Sequence, residues 1–369
     1  SFRRAEKSRS LLKKPEVLNL ADFRWPPQPD IALSDDHPLA PAGKEAMQRL
    51  KEDLAGWYNS VYDARLSPLK EVFIGNSISS NMLCLALAFI DHGDIAFAPA
   101  LGLPLYRKVV VACGGEPVTY SVSSQDDWLP NFERVGTRLG RVARVLFVNS
   151  PHNPTGAELS EKDMADLVWL AGKENIMVIN DAAYQTVTGR KPASLMSAAG
   201  GRKVGVEVGS FAYHFGLPSL PLAFVVGHRD IISGLKEASG LVRPHLMAHQ
   251  VQAALEAIRQ YPNRSLQNVR RLISLAAAEA AVLMDILKLE KAGFDSVPFA
   301  WARLPRRSPS KRAADRLLRR SRILVTPGAA FGDLGEGYLR LSLTAGAETF
   351  AQARKRLQRR RAAKLTEEE

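Results

Sequence analysis

Between Lys44 and Asn180 the chain alternates two hydrophobic spacings. KEAMQRLKEDLAGWYNSVY, at 44–62, repeats its apolar residues every three or four positions and predicts an amphipathic helix. EVFIG, at 71–75, is an apolar run of strand length and predicts the strand that follows. The alternation continues with a helix at 80–91, strand IAFAP at 95–99, a helix at 104–113, strands VTYSV at 118–122 and VARVLFVN at 142–149, a helix at 160–174 and strand IMVIN at 176–180. Strands that are apolar on both faces and separated by helices predict an α/β fold, with a mainly parallel sheet covered by helices on each side. After His228 long helical patterns dominate, above all at 265–289, with strands near 299–302, 323–326 and 338–343. Three parts are therefore expected: 1–65, an N-terminal arm and part of a small domain; 66–250, a large domain; and 251–369, a small C-terminal α/β domain.

Composition narrows the class. Of 369 residues 46% are hydrophobic and 24% charged, which supports a buried core and excludes a disordered or collagen-like chain. The longest apolar run, at 82–90, is half the ~18 residues of a membrane span, so no membrane partner is expected. The basic first twenty residues hold no apolar stretch of signal-peptide length and read as a solvated arm. Two cysteines, Cys84 and Cys113, give neither a disulfide framework nor a zinc quartet; no metal and a cytoplasmic location are expected. The net charge of +12 is local: nine Lys or Arg against one Asp at 303–322, and seven against three Glu at 351–369. Both stretches space their arginines as solvated helix faces, and no nucleic-acid-binding signature accompanies them, so a nucleic-acid partner is not expected.

Chemistry enters at the turns. Asn149-Ser150-Pro151-His152-Asn153-Pro154-Thr155-Gly156 follows one buried strand and Asn180-Asp181-Ala182-Ala183-Tyr184 the next. Pro327-Gly328-Ala329-Ala330-Phe331-Gly332 and then Gly337-Tyr338-Leu339-Arg340-Leu341-Ser342 stand near the C-terminus. With EVFIGN, LALAFIDHGD, LYRK and GGEPVTY, these resemble the class I/II aminotransferases of fold type I, pyridoxal-phosphate (PLP) enzymes, and most of all the LL-diaminopimelate aminotransferase-like branch. The resemblance spans about residues 43–342. It implies a fold type I PLP-transferase-like architecture, with a mainly parallel seven-stranded sheet in a large domain plus a smaller α/β domain. It also implies that Asn153 and Tyr184 meet the 3-oxygen of the cofactor ring, that Asp181 pairs with the ring nitrogen, and that Arg340 forks a substrate carboxylate. Each residue alone also suits a structural role: a turn, a loop cap, a core phenol or an ion pair.

The resemblance breaks where the cofactor is anchored. The family's Ser-x-Ser-Lys element, whose lysine bonds PLP, corresponds to Ser210-Phe211-Ala212-Tyr213, and the phosphate-binding arginine position holds Pro221. A phenol forms no imine, and proline offers neither charge nor donor. Ser77-Ile78-Ser79-Ser80-Asn81 stands where the family has Gly-Ser-Lys-Glu-Gly, Leu103 where a ring-stacking aromatic is usual, and no tyrosine precedes Tyr58. The departures lead to an expectation of no cofactor and of PLP-independent chemistry, not transamination, on a small carboxylate-bearing metabolite of a biosynthetic pathway. Tyr213 and His214 are then the catalytic acid/base candidates, with Arg340, Asn153, Asp181 and Tyr184 binding the substrate. Two alternatives stand beside it: a non-catalytic pseudoenzyme that binds a metabolite or a partner subunit, and a residual PLP- or pyridoxamine-phosphate-dependent aminotransferase. A homodimer is the expected assembly.

Overall fold

The computed structural model describes residues 17–22 and 40–366, apart from 134, 137–139, 188, 190, 192, 218–219, 243–245, 294, 296 and 306–307. Most of the expected N-terminal arm, at 1–16 and 23–39, lies outside the described residues. In chain order the elements are β1 (Leu18–Asn19), α1 (Lys44–Tyr62), β2 (Val72–Gly75), α2 (Ile78–Phe89), β3 (Ile95–Pro99), α3 (Leu105–Ala112), β4 (Glu116–Val122), β5 (Pro130–Asn131), β6 (Ala143–Asn149), α4 (Glu161–Glu174) and β7 (Met177–Asp181). There follow α5 (Gly201–Val204), β8 (Gly205–Ser210), α6 (Phe211–Phe215), β9 (Ala223–Gly227), α7 (Arg229–Val242), α8 (Ala248–Arg259), α9 (Arg264–Leu287), β10 (Glu290–Lys291) and β11 (Phe299–Arg303). The last elements are α10 (Ser310–Ser321), β12 (Ile323–Leu324), β13 (Thr326–Pro327), β14 (Tyr338–Ser342) and α11 (Ala347–Thr366).

The large sheet runs β2-β9-β8-β7-β6-β3-β4-β5. From β8 across to β4 all neighbours are parallel, while β9 runs against both β8 and β2. The two-residue β5 adds an antiparallel edge to β4, so the sheet has eight strands where seven were expected. Alternate residues of one strand feed opposite cores, as the pleat requires: Leu146 and Val148 join Trp57 of α1, Leu167 of α4 and Val251 of α8, whereas Val145 and Phe147 join Leu85 of α2, Val110 of α3 and Leu235 of α7. A second, antiparallel sheet, β10-β11-β14-β13, packs Leu339 and Leu341 against Val269 and Ile273 of α9 and Phe350 of α11. The N-terminal β1 pairs with β12, and Ser342 N donates to Leu20 O at 2.8 Å, which lays residues 18–22 across this second sheet. Among the described residues no helix is long and apolar enough to cross a membrane.

The helix ends are set by local chemistry. Ser77 and Ser80 form a reciprocal capping box that starts α2, and Ser160 with Asp163 does the same for α4. Asn263 caps α9 with its side chain on Leu266 N, while its Nδ2 donates to Phe215 O at 2.7 Å. At Gly216, φ is +67° and a Cβ would meet Leu266 N at 2.6 Å, so only glycine lets α6 end against the start of α9. That clamp orients the short helix carrying Tyr213 and His214.

Candidate active site

The order of the large sheet changes direction between β3 and β6: from β3 the chain moves outward to β4, and from β6 it moves the other way to β7 and β8. Crevices at such points, beyond the C-terminal strand ends, are where open α/β sheets bind ligands. His152 Nε2 meets Leu101 O at 3.0 Å, so the loops after β6 and β3 are tied together there. Asn149, the last residue of β6, donates to Asp181 O at 2.8 Å and accepts from Asn153 N at 2.8 Å, which sets the two loop starts relative to each other.

Asp181 ends β7 with its carboxyl buried. Tyr106 OH of α3 donates to its Oδ2 at 2.8 Å, and the Ala183 amide reaches Oδ1 at 3.2 Å. Burial pushes the carboxyl up from 3.8 to about 6, against the downward pull of those two donors. Among the described residues no cation pairs with it.

Asn153 joins two further groups to the cluster. Its Nδ2 donates to Tyr184 OH at 3.1 Å, and its Oδ1 accepts from Arg340 Nη1 at 3.1 Å. Arg340 projects from the face of β14 opposite Leu339 and Leu341. Its Nη2 donates to Ala21 O at 3.0 Å, and its guanidinium lies 4.2 Å from the Phe299 ring centre and 4.8 Å from that of Phe331. Burial lowers it to about 10, with Tyr184, Tyr213 and the Asp22 charge acting the other way; Nε has no hydrogen-bond partner, and among the described residues no carboxylate is close enough to form an ion pair. A guanidinium this deep without a carboxylate leaves its binding capacity open. Burial also drives the Tyr184 hydroxyl well above its ordinary value.

The two candidates on α6 part company. Tyr213 packs with Tyr184, ring centres 5.2 Å apart, beside Ile78 of α2 and within the cluster of Val297 and Phe299. Its hydroxyl is pushed up to about 12, first by burial and then by the nearby Asp181 charge, with Arg340 acting the other way. His214 is not brought to this site. It is fully buried among Trp57, Phe215 and Phe224, its Nδ1 meets Ser210 O at 3.2 Å, and burial holds it down at about 3. Consecutive residues of a helix project about 100° apart, so one of the pair faces the site and the other the core. The expectation that His214 is an acid/base group is corrected accordingly: its ring is packed into the aromatic core on the side away from the cluster, and near neutrality it is uncharged.

The groups fit the PLP implied by the resemblance in part. Asp181, Tyr184 and Asn153 offer a buried carboxyl, a phenol and an amide of the kinds a pyridinium nitrogen and a ring oxygen require, and Asp181 has no competing cation. The covalent anchor is missing: residue 213 is tyrosine, and among the described residues no lysine side chain is buried. At the start of α2, whose Ile78 packs against Tyr184 and Tyr213, the hydroxyls of Ser77 and Ser80 bond each other at 3.1 Å. The helix-start amides, the exposed Ser79 hydroxyl and Asn81 Nδ2, buried without a partner, are donors that remain there. Pro221 is exposed.

Sequence reasoning passed over Tyr106, Asn149 and the Ala21 carbonyl. Tyr106 looks like any aromatic on the buried stripe of a helix. Ala21 contributes only backbone, which leaves no trace in residue type.

Comparison with known proteins places this geometry. The sequence profile of the family described as "Aminotransferase class I and II" matches residues 36–357. The LL-diaminopimelate aminotransferase of Halothermothrix orenii is 29% identical over 322 residues, covering 85% of this chain and 81% of that protein. The apo structure of BacF from Bacillus subtilis superimposes with a TM-score of 0.85 at 26% identity, covering 96% of this chain and 93% of the other. A probable N-succinyldiaminopimelate aminotransferase of Thermus thermophilus has a TM-score of 0.85 at 23% identity, covering 96% and 98%, and shares the fold. These matches overturn four expectations: that the cofactor is lost, that the chemistry is PLP-independent, that it is not transamination, and that the protein is a pseudo-aminotransferase. The relatives are named for amino transfer, and their family implies dependence on PLP.

Proposed function

The chain belongs to the class I and II aminotransferases, and on that premise we propose that it transfers amino groups between carboxylate-bearing amino and keto acids with PLP as cofactor. The observation that carries this reading is one buried cluster in which, among the described residues, the carboxyl of Asp181 is hydrogen-bonded by no cation and the guanidinium of Arg340 by no carboxylate, the Asp22 charge acting on it only from outside hydrogen-bond reach. Each lacks the partner that a PLP ring and an amino-acid substrate would bring. When bound, the cofactor supplies an electron sink for the carbon that bears the amino group.

The chain's own residues have distinct tasks. Asp181 ionises against a ring cation, and Tyr106 holds it in place from Oδ2. Tyr184 and Asn153 hydrogen-bond at the ring oxygen. Arg340 takes the substrate carboxylate through Nε and its Nη atoms, exchanging its present bonds to Asn153 and Ala21 for two parallel ones. Tyr213, protonated at neutral pH, holds a proton at its hydroxyl beside Tyr184. The rings of Phe299 and Phe331 keep water from the guanidinium, which strengthens its hold on an anion.

The relatives' names make LL-diaminopimelate the first amino donor to offer. A cytoplasmic location and a homodimer complete the proposal. The test is to incubate the purified protein with PLP, LL-diaminopimelate and a 2-keto acid, and to follow the new amino acid by mass spectrometry. The absence of both saturable PLP binding and amino transfer to any keto acid would refute the reading.

A further inference from the structure

We infer that the cofactor of this site is held without a covalent bond to the chain and exchanges with solvent, as a dissociable ligand does. The inference rests on the proposed function and concerns how the same site keeps its cofactor.

The first ground is the absence of an amine. Asp181, Tyr184 and Asn153 are buried, whereas among the lysines whose side chains are described all are exposed except Lys51, which is half-buried. Lys51 sits on α1 with Lys236 as its charged neighbour, apart from the cluster. The side chain that packs on Tyr184 from α6 is Tyr213, and a phenol cannot condense with an aldehyde to a C=N bond. The second ground is the phosphate end. The hydroxyls of Ser77 and Ser80 are bonded to each other, and Pro221 brings no donor. Arg340, the guanidinium hydrogen-bonded within the cluster, is engaged with Asn153 and Ala21. What remains among the described residues is reversible: the Asp181 charge, the hydroxyl and amide of Tyr184 and Asn153, the start-of-α2 amides with Asn81 Nδ2, and the aromatic packing of Tyr213 and Phe299.

A consequence separates this site from one with a lysine. Covalent capture favours the aldehyde form; without it the pyridoxal and pyridoxamine phosphates should bind within about tenfold of each other. A lysine placed at 213 should restore the bias, because its amine can add to the aldehyde, expel water and leave a C=N bond that borohydride reduces.

The experiment titrates wild-type protein with each cofactor form by tryptophan fluorescence. It then desalts the PLP-loaded protein and treats a parallel sample with borohydride before peptide mass mapping. Expected are saturable binding of both forms, loss of cofactor on desalting, and no stoichiometric lysine adduct. Tyr213→Lys is expected to keep its cofactor through desalting, to carry the adduct at residue 213, and to prefer the aldehyde form by about a hundredfold or more. A stoichiometric adduct on any wild-type lysine, suppressed by excess pyridoxamine phosphate, would overturn this inference while leaving the proposed function intact. Failure of both forms to bind would overturn both, and binding of the aldehyde form alone would overturn this inference. If the variant does not fold, the wild-type measurements decide alone.

Discussion

Replacing Tyr106 by phenylalanine isolates the bond on which the Asp181 charge depends. The ring stacks on Phe147, centres 5.7 Å apart, and the substitution keeps that packing while removing the hydroxyl that donates to Asp181 Oδ2 at 2.8 Å. A hydrogen bond to a charged group contributes about 1.5–3 kcal/mol, and one between neutral groups about 0.5–1.5 kcal/mol. Burial holds the carboxyl at about 6 against an ordinary 3.8. Between those values the folded chain keeps a proton that the unfolded chain has released, so stability falls as pH rises through that window and levels off above it. Without the hydroxyl the ionised form loses more than the protonated one. At about 1.4 kcal/mol per pH unit, the upper edge of the window moves up by about one pH unit, two at most. The variant should therefore be about 1 kcal/mol less stable than wild type near pH 5 and about 1.5–3 kcal/mol less stable near pH 8.5. Urea unfolding of the cofactor-free proteins, followed by far-ultraviolet circular dichroism at half-unit pH steps, reads this difference. A gap that stays constant across the range, or is wider at pH 5, would refute an Asp181 charge held by Tyr106.

Asp181→Asn should weaken PLP binding by about ten- to 150-fold, the equivalent of a lost charge-assisted contact, in a fluorescence titration; an unchanged Kd would remove Asp181 from the ring site. Arg340→Ala should raise KM for the carboxylate substrate by about 30-fold or more, and Arg340→Lys should recover little of it because an ammonium cannot make the two parallel bonds; full recovery with lysine would mean a point charge suffices. His214→Leu should leave the pH profile of activity between 5 and 9 superimposable on wild type, since the imidazole at about 3 is neutral throughout; loss of a limb of that profile would return His214 to the chemistry. Light scattering at micromolar concentration should give twice the 40.5 kDa chain mass, and a monomer would refute the proposed dimer.

Period and length made the helix and strand succession legible where the two agreed. The helix expected at 44–62 is α1 to the residue, and the strand at 95–99 is β3, because each is a complete pattern bounded by a turn. Strand β8 was passed over. GVEVGS carries a glutamate at its centre and a glycine on either side of its valines, which reads as a surface loop until one sees Glu207 wholly buried. The turns after β6 and β7 announced Asn153, Asp181 and Tyr184, since these motifs are contiguous. Which of Tyr213 and His214 meets them was not legible, because it depends on α6 being a helix whose end is fixed by Gly216 against α9, a contact about 50 residues away in sequence. Cofactor use was misjudged for a related reason. The anchors at 213 and 221 are single side chains and easy to overweight, while Tyr106, Tyr213 and Arg340 join the turns after β6 and β7 only once the fold assembles them.

Two buried carboxyls on neighbouring strands show what the fold assembles and why one of them is available for chemistry. Glu207 Oε1 accepts from Asn180 Nδ2 at 2.9 Å, Gln185 Nε2 at 3.3 Å and Leu195 N at 2.8 Å, and its Oε2 from Ser194 Oγ at 2.6 Å. Four protein donors hold Glu207, three on Oε1 and one on Oε2, so it is engaged without a ligand and ties the segment flanking Asp181 and Tyr184 to β8. Asp181 has two donors, one of them a long amide contact at 3.2 Å. Burial raises both carboxyls, so depth alone does not tell them apart. The count of donors does. Among the described residues, a buried acid with two donors beside a buried guanidinium hydrogen-bonded only to an amide and a carbonyl costs the apo fold stability that a cationic ring and an anionic substrate would return on binding. The unmet contacts of Asp181 and Arg340 are therefore where ligand binding should stabilise this fold, and Glu207 is the fixed point against which they are held.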